Sequence, residues 1–179
     1  GRYVNTKGFI RKSTPGFVQK QSSDTITFWF FGGSTMFGFN VADFETIPSQ
    51  FAKLYQDSSK YSASLRIINF GIPYYFSYQE YKLFSLLLEK NQPPDYAVFF
   101  NGLNDFWSYH NTYYNQPYFS DRLSSMMQKN VFEFLPSEPG NIYRLRDTAL
   151  SEKQCDTLLN NYLKNLSRIE EQAIRSRVN

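Results

Sequence analysis

The sequence predicts an α/β fold, a three-layer α/β/α sandwich with a central parallel sheet. Three uninterrupted apolar runs, residues 25–31, 65–70 and 96–100, have the length of strands that are buried on both faces, as parallel strands are. Amphipathic segments of helical length separate these runs. Each run ends in a polar turn that contains glycine. We therefore expect three neighbouring parallel strands with helices on both faces of the sheet.

Three segments predict helices, and the first two of them lie between the strand runs. Residues 46–56 have a capping hydroxyl at Thr46 and a proline, Pro48, that the first helical turn tolerates. Residues 77–90 open on Ser77-Tyr78-Gln79-Glu80, which fits a capping box. From Ser151 onward, apolar residues recur at helical spacing, with most lysines and arginines on the other side.

The turn after the first strand run is the first place to look for chemistry. It reads Phe31-Gly32-Gly33-Ser34-Thr35, and its glycines permit backbone conformations that hold a following side chain exposed at the strand end. Ligands usually bind at that end of an α/β sheet, which makes Ser34 a candidate nucleophile. Two other interpretations fit the same residues: Ser34 or Thr35 caps a helix, or the backbone N–H groups cradle an anion.

The other two strand runs end in similar turns, Asn69-Phe70-Gly71 and Asn101-Gly102-Leu103-Asn104-Asp105. Because the carboxyl ends of parallel strands meet at one edge of the sheet, we expect all three turns to converge. Taken singly, Gly71 also fits a plain strand-ending turn, and Asn104 also fits a turn residue that bonds its own backbone.

In this order and spacing, the three turns resemble the first three sequence blocks of the SGNH (GDSL-type) hydrolases, and the likeness runs from about residue 25 to residue 106. It is carried by Phe31-Gly32-Gly33-Ser34-Thr35, Glu45-Thr46-Ile47-Pro48, Asn69-Phe70-Gly71-Ile72-Pro73 and Asn101-Gly102-Leu103-Asn104-Asp105. Gly33 departs from the Gly-Asp-Ser form of the family and matches its bacterial Gly-Gly-Ser-Thr variant.

The resemblance implies a flavodoxin-like fold and a serine ester hydrolase. Ser34 would attack an acyl carbonyl and carry the acyl group. The Ser34 N–H, the Gly71 N–H and the Asn104 side-chain amide would hold the oxyanion. The substrate would be a small-molecule, carbohydrate or lipid ester. An O-acyltransferase acting on carbohydrate and a catalytically inactive binding protein are the alternatives.

The general base that the family takes from a late Asp-x-x-His element is missing from these residues. The single histidine, His110, follows Trp107-Ser108-Tyr109 with no acidic residue at the family's spacing, and it fits a loop histidine packed among aromatic residues. We therefore expect the 179 residues to be part of a longer protein; the alternative is a natural member of the family that has kept the fold and lost the base.

Composition is consistent with a single partial domain over residues 1–179 that has an aromatic-rich insertion at about residues 106–140. That insertion fits a substrate wall or lid, a self-packing surface loop, or an interface. A net charge of +3, without basic residues interleaved among the aromatics, argues against nucleic-acid binding. One histidine and one cysteine, Cys155, predict no metal site, and no cofactor is expected. The resemblance favours an extracytoplasmic location, with any membrane anchor outside these residues.

Overall fold

The computed structural model describes residues 6–7, 10–11, 17–20, 24–58, 60–110 and 150–179. The strands are β1 (Thr6–Lys7), β2 (Ile10–Arg11), β3 (Phe17–Val18), β4 (Thr25–Gly32), β5 (Ser64–Asn69) and β6 (Tyr96–Phe100). The helices are α1 (Ser34–Phe37), α2 (Ile47–Asp57), α3 (Ser77–Lys90), α4 (Leu103–His110) and α5 (Glu152–Ser176), with a 3₁₀ turn at Asp43–Glu45. The predicted aromatic-rich insertion lies almost entirely outside the described residues.

The sheet has β4 at its centre, paired in parallel with β5 on one side and with β6 on the other. The three predicted strands are therefore neighbours and parallel, and the α/β fold class is confirmed. The short strands β2 and β3 add antiparallel pairs on the far edge of β5, and β1 pairs with β2. The sequence did not predict these antiparallel strands.

Alternating residues of β4 pack on opposite faces of the sheet, which gives the molecule two cores. Trp29 and Phe31 pack with Leu83 and Phe84 of α3 and with Ile169 of α5. On the other face, a second cluster forms against α2; its buried members are Val18, Phe30, Met36, Ala52, Tyr55, Leu65 and Ile67. Helices therefore cover both faces, as a parallel strand buried on both sides requires.

All three predicted helices form, and each begins within one residue of its predicted start. Thr46 accepts a hydrogen bond from the Ser49 N–H at the start of α2, and Ser151 accepts one from the Gln154 N–H at the start of α5. The capping box predicted for α3 is wrong. The helix is preceded by Phe76, whose N–H donates to the side chain of Gln79, and Glu80 is buried instead of reaching back to the helix start.

Asn179 lies beside the outer edge of β6. Its N–H donates to the Asp95 carbonyl at 3.0 Å, and its carbonyl accepts from the Ala97 N–H at 2.9 Å. These two bonds have the register of a parallel strand opposite Tyr96. Among the described helices, none combines the length and the apolarity that a membrane crossing requires.

Candidate active site

Ser34 lies at the carboxyl end of the central strand. It is the first residue of α1, half-buried, and its Oγ has no hydrogen-bond partner among the residues that the structure describes. The position before the helix is occupied by Gly33, which has no side chain to form a cap. The interpretation of Ser34 or Thr35 as a helix cap is therefore wrong, and the Ser34 hydroxyl is left available for other contacts.

Asn104 meets the backbone directly before Ser34. A Cβ added to Gly33 would lie 2.3 Å from Asn104 Nδ2 and 3.3 Å from the Tyr75 carbonyl oxygen. Asn104 Nδ2 also donates to that Tyr75 oxygen at 2.6 Å. The end of β4, the turn after β5 and the start of α4 thus meet at one point. A side chain at position 33 would displace the Asn104 amide from this place, which gives a physical reason for glycine here.

Gly71 lies against α1, and its N–H is occupied. A Cβ at this position would lie 2.4 Å from the Phe37 nitrogen, so the turn after β5 packs directly on the backbone of α1. The Gly71 N–H donates to Asn69 Oδ1 at 2.9 Å, while Asn69 Nδ2 donates to the Met36 carbonyl at 2.9 Å. The glycine that the resemblance assigns to the oxyanion therefore donates to a protein acceptor in this structure.

The residue after Asn104 is anchored by Ser77, which is in turn bonded from α5. Asp105 is buried and accepts hydrogen bonds from both the N–H and the hydroxyl of Ser77, at the start of α3. The Ser77 hydroxyl also accepts from Asn165 Nδ2 of α5 at 2.9 Å. Burial raises the pKa of Asp105, and the bonds from Ser77 partly offset that rise.

A second buried carboxyl lies beside this anchor. Glu80 is 1% exposed, and its Oε2 accepts from Asn101 Nδ2 at 2.8 Å. Its Oε1 has no hydrogen-bond partner within the described part of the chain. Asn101 Oδ1 in turn accepts from the Tyr162 hydroxyl of α5 at 2.8 Å. Burial, with a smaller contribution from the charge of Asp105, raises the pKa of Glu80 to about 8 against the bond from Asn101, so this carboxyl is mostly protonated at neutral pH.

His110 is the last residue of α4, and its side chain lies outside the described residues, as do the aromatic residues that follow it. The prediction of a loop histidine is therefore wrong in its backbone, because His110 belongs to a helix, whereas its packing among aromatic residues stays a prediction. Within the described ranges, no three histidine, cysteine, aspartate or glutamate side chains come together as metal ligands.

Sequence reasoning placed Ser34 and Asn104 at strand ends but missed the side chains that hold them. Asn69 was noted only as part of a turn, although a polar side chain that ends an apolar strand often bonds nearby backbone. Arg11 and Glu80 carry no local pattern that would mark them as buried. Their roles depend on contacts with residues 21 or more positions away.

No protein-family model matches the chain, and no curated protein matches its sequence. Twelve solved chains match its fold. One is AlinE4, an SGNH-hydrolase family esterase, at 19% identity and a TM-score of 0.41, over 63% of this chain and 56% of AlinE4. A point mutant of AlinE4 matches at 17% identity and a TM-score of 0.44, over 88% and 76% of the two chains. A point mutant of Axe2, an acetyl xylan esterase from Geobacillus stearothermophilus, matches at 13% identity and a TM-score of 0.42, over 90% of this chain and 76% of the Axe2 chain.

Proposed function

We propose that the protein is a serine esterase in which Ser34 attacks the acyl carbonyl of an ester. The observation that carries this proposal is the contact between Asn104 and Gly33, which brings a side-chain amide next to the residue that precedes Ser34. A serine hydroxyl without a described partner and a side-chain amide next to the preceding residue supply a nucleophile and an oxyanion donor, two of the groups that acyl transfer uses. In the first step a base takes the Oγ proton, the Oγ–carbon bond forms and the alcohol leaves; water then releases the acid.

Three donors are candidates for the oxyanion, and their surroundings support them unequally. The Ser34 N–H belongs to the first turn of α1 and so has no acceptor within the helix. Asn104 uses one N–H of its amide on Tyr75 and has a second to offer. The Gly71 N–H would have to share its proton with Asn69. Preorganised donors contribute about 3–4 kcal/mol each, and we expect Gly71 to contribute less than Asn104.

A serine nucleophile also requires a base. The 179 residues contain no Asp-x-x-His sequence, and His110 is their single histidine. We predict that these residues alone do not turn over a short-chain nitrophenyl ester appreciably, whereas a longer form that carries an Asp-x-x-His element does. Robust activity of the short chain that disappears in the His110→Ala variant would contradict this assignment.

The proposal is tested on the longer form with a fluorophosphonate probe and a nitrophenyl ester. We expect Ser34→Ala to abolish both labelling and turnover, with Thr35→Ala, which removes the exposed neighbouring hydroxyl, as the matched control. Asn104→Ala should lower kcat by about 10²- to 10³-fold, while Leu103→Ala, at an exposed neighbouring position, should have little effect. Labelling that survives Ser34→Ala would rule the proposal out.

Product analysis separates hydrolysis from its alternatives, with acylated carbohydrates and lipids as the substrate classes to test. Release of free acid in water supports the esterase. Transfer of the acyl group to an added sugar would identify an acyltransferase instead. Binding of an acylated polymer without labelling would identify a protein that binds but does not catalyse.

A further inference from the structure

Arg11, in the short strand β2, is buried against the last residue of α1 and the segment that follows it. Its side chain is 1% exposed, Nε donates to the Phe37 carbonyl at 3.1 Å, and Nη2 donates to the Val41 carbonyl at 3.2 Å. Nη1 forms an ion pair with Asp43, and the guanidinium lies 5.3 Å from the centre of the Phe37 ring. All of these contacts lie between Phe37 and Asp43, the seven residues that begin with the last residue of α1.

The helix that carries Ser34 is too short to be stable on its own. It has four residues, and its closing bonds run from the Phe37 N–H to the Gly33 carbonyl and from the Gly38 N–H to the Ser34 carbonyl. One helical turn fixes several dihedral angles for very few hydrogen bonds, so it is not stable without tertiary contacts. Its last carbonyls also need donors from elsewhere.

Two strand residues supply those donors. Asn69 Nδ2 donates to the Met36 carbonyl, and Arg11 Nε donates to the next carbonyl, that of Phe37. Arg11 and Asn69 are directly paired across β2 and β5, so the two donors approach α1 from adjacent strands. The sheet therefore fixes the end of α1 opposite to Ser34 through both side chains.

An arginine suits this position better than a lysine. The planar guanidinium directs donors toward three separate acceptors at once, two carbonyls and one carboxylate. A lysine ammonium is a compact charge that would reach one or two of them, and its burial would cost more desolvation free energy. Lysine thus preserves the charge while removing the simultaneous hold on Phe37 and Val41.

We propose that Arg11 is a positioning residue for the nucleophile. Its guanidinium group holds the segment from Phe37 to Asp43 and thereby the orientation of Ser34 in the single turn of α1. The inference rests on the proposed function of Ser34. It assigns to β2 a part in the reaction rate, beyond the stability that any buried ion pair gives.

The test compares Arg11→Lys with Arg66→Lys in the longer form, because Arg66 is an exposed arginine of the same sheet. We expect the Arg11→Lys protein to be labelled by fluorophosphonate to the full amplitude but about 10- to 100-fold more slowly, since a nucleophile misplaced by about 1 Å loses rates of this order. The kcat for a nitrophenyl ester should fall with KM within about twofold. A purely structural role would instead lower the labelled amplitude and leave the rate constant unchanged.

Hydrogen exchange gives a second measurement that does not depend on catalysis. The amides of Gly38, Phe39 and Val41 should exchange at least about tenfold faster in Arg11→Lys, whereas the amides of α3 should not change. If Arg11→Lys does not fold, Asp43→Asn replaces it, because that change removes the charge partner and leaves the bonds to both carbonyls. Its labelling should be slowed less, by about two- to fivefold.

The outcomes separate the two proposals. If Ser34→Ala abolishes labelling but the folded Arg11 or Asp43 variant is labelled at the Arg66→Lys rate, the inference is wrong and the proposed function stands. If the unsubstituted longer form is not labelled, or is still labelled after Ser34→Ala, the proposed function fails and the inference fails with it.

Discussion

Replacing Glu80 with glutamine should make the protein more resistant to alkaline pH. Glu80 is 1% exposed, its Oε1 lacks a hydrogen-bond partner within the described residues, and its pKa is raised from 4.5 to about 8. Burial is the main cause, the charge of Asp105 adds to it, and the bond from Asn101 opposes it. A glutamine side chain would keep the shape of the neutral carboxyl but could not ionise.

The direction follows from proton binding in the two states. Below pH 4.5, Glu80 is protonated in both the native and the unfolded protein. Between pH 4.5 and about 8, the unfolded state releases the proton and the native state keeps it, so the native state loses stability as the pH rises. At about 1.4 kcal/mol per pH unit, the loss reaches about 3 kcal/mol at pH 7 and about 5 kcal/mol once complete.

Urea unfolding at half-unit steps from pH 5 to pH 9 measures this loss. We expect the stability of Glu80→Gln minus that of the unsubstituted protein to rise by about 1.4 kcal/mol per unit up to pH 8 and then to level off. Glu89→Gln, at an exposed position of the same helix, is the matched control and should give a flat difference.

A flat difference between Glu80→Gln and the unsubstituted protein over pH 5–8 would refute the reasoning. It would mean that Glu80 ionises near its ordinary pKa in the native state, and hence that its carboxyl is solvated or hydrogen-bonded there. A constant offset at all pH values would not refute it, because the new amide N–H groups bring a fixed desolvation cost of their own.

The remaining predictions concern the glycines of the site and His110. In the longer form, Gly33→Ala should slow fluorophosphonate labelling at least about tenfold but change the free energy of unfolding by less than about 1 kcal/mol, because its Cβ meets the movable end of Asn104. Gly71→Ala should lower the free energy of unfolding by about 1–3 kcal/mol, because its Cβ meets the Phe37 backbone. Urea unfolding that gives equal losses for the two variants would contradict this contrast. His110→Ala should leave both labelling and ester turnover unchanged, and a loss of either would show that this histidine takes part.

The central part of the fold could be predicted because it follows from local patterns. The runs that became β4, β5 and β6 are mostly apolar, and their alternation with helices predicts the parallel arrangement that the structure has. The strands β1, β2 and β3 have two residues each, which is too short for any periodicity to be visible. β2 and β3 form by pairing with the edge of β5, and β1 by pairing with β2; these are contacts that the local sequence does not show.

The candidate site was predictable to the level of backbone position but not of side-chain bonding. Parallel strands bring Gly33 and Asn104 to one edge, and the structure has them in contact. Sequence position does not show that the Gly71 N–H is already taken by Asn69. Glu80 resembled a capping residue because its spacing from Ser77 is right, but the tertiary contact with Asn101 determines where it lies.

The bonds from α5 to the candidate site have a consequence for folding. Asn165 bonds Ser77 across 88 positions of the chain, and Tyr162 bonds Asn101 across 61. Closing loops of this size costs more chain entropy than pairing β4 with β5, and contacts of such separation slow folding. We expect the sheet to form first, with Glu80 and Asp105 still hydrated and ionised as ordinary carboxylates. Docking of α5 would then couple the last stage of folding to the uptake of a proton by Glu80.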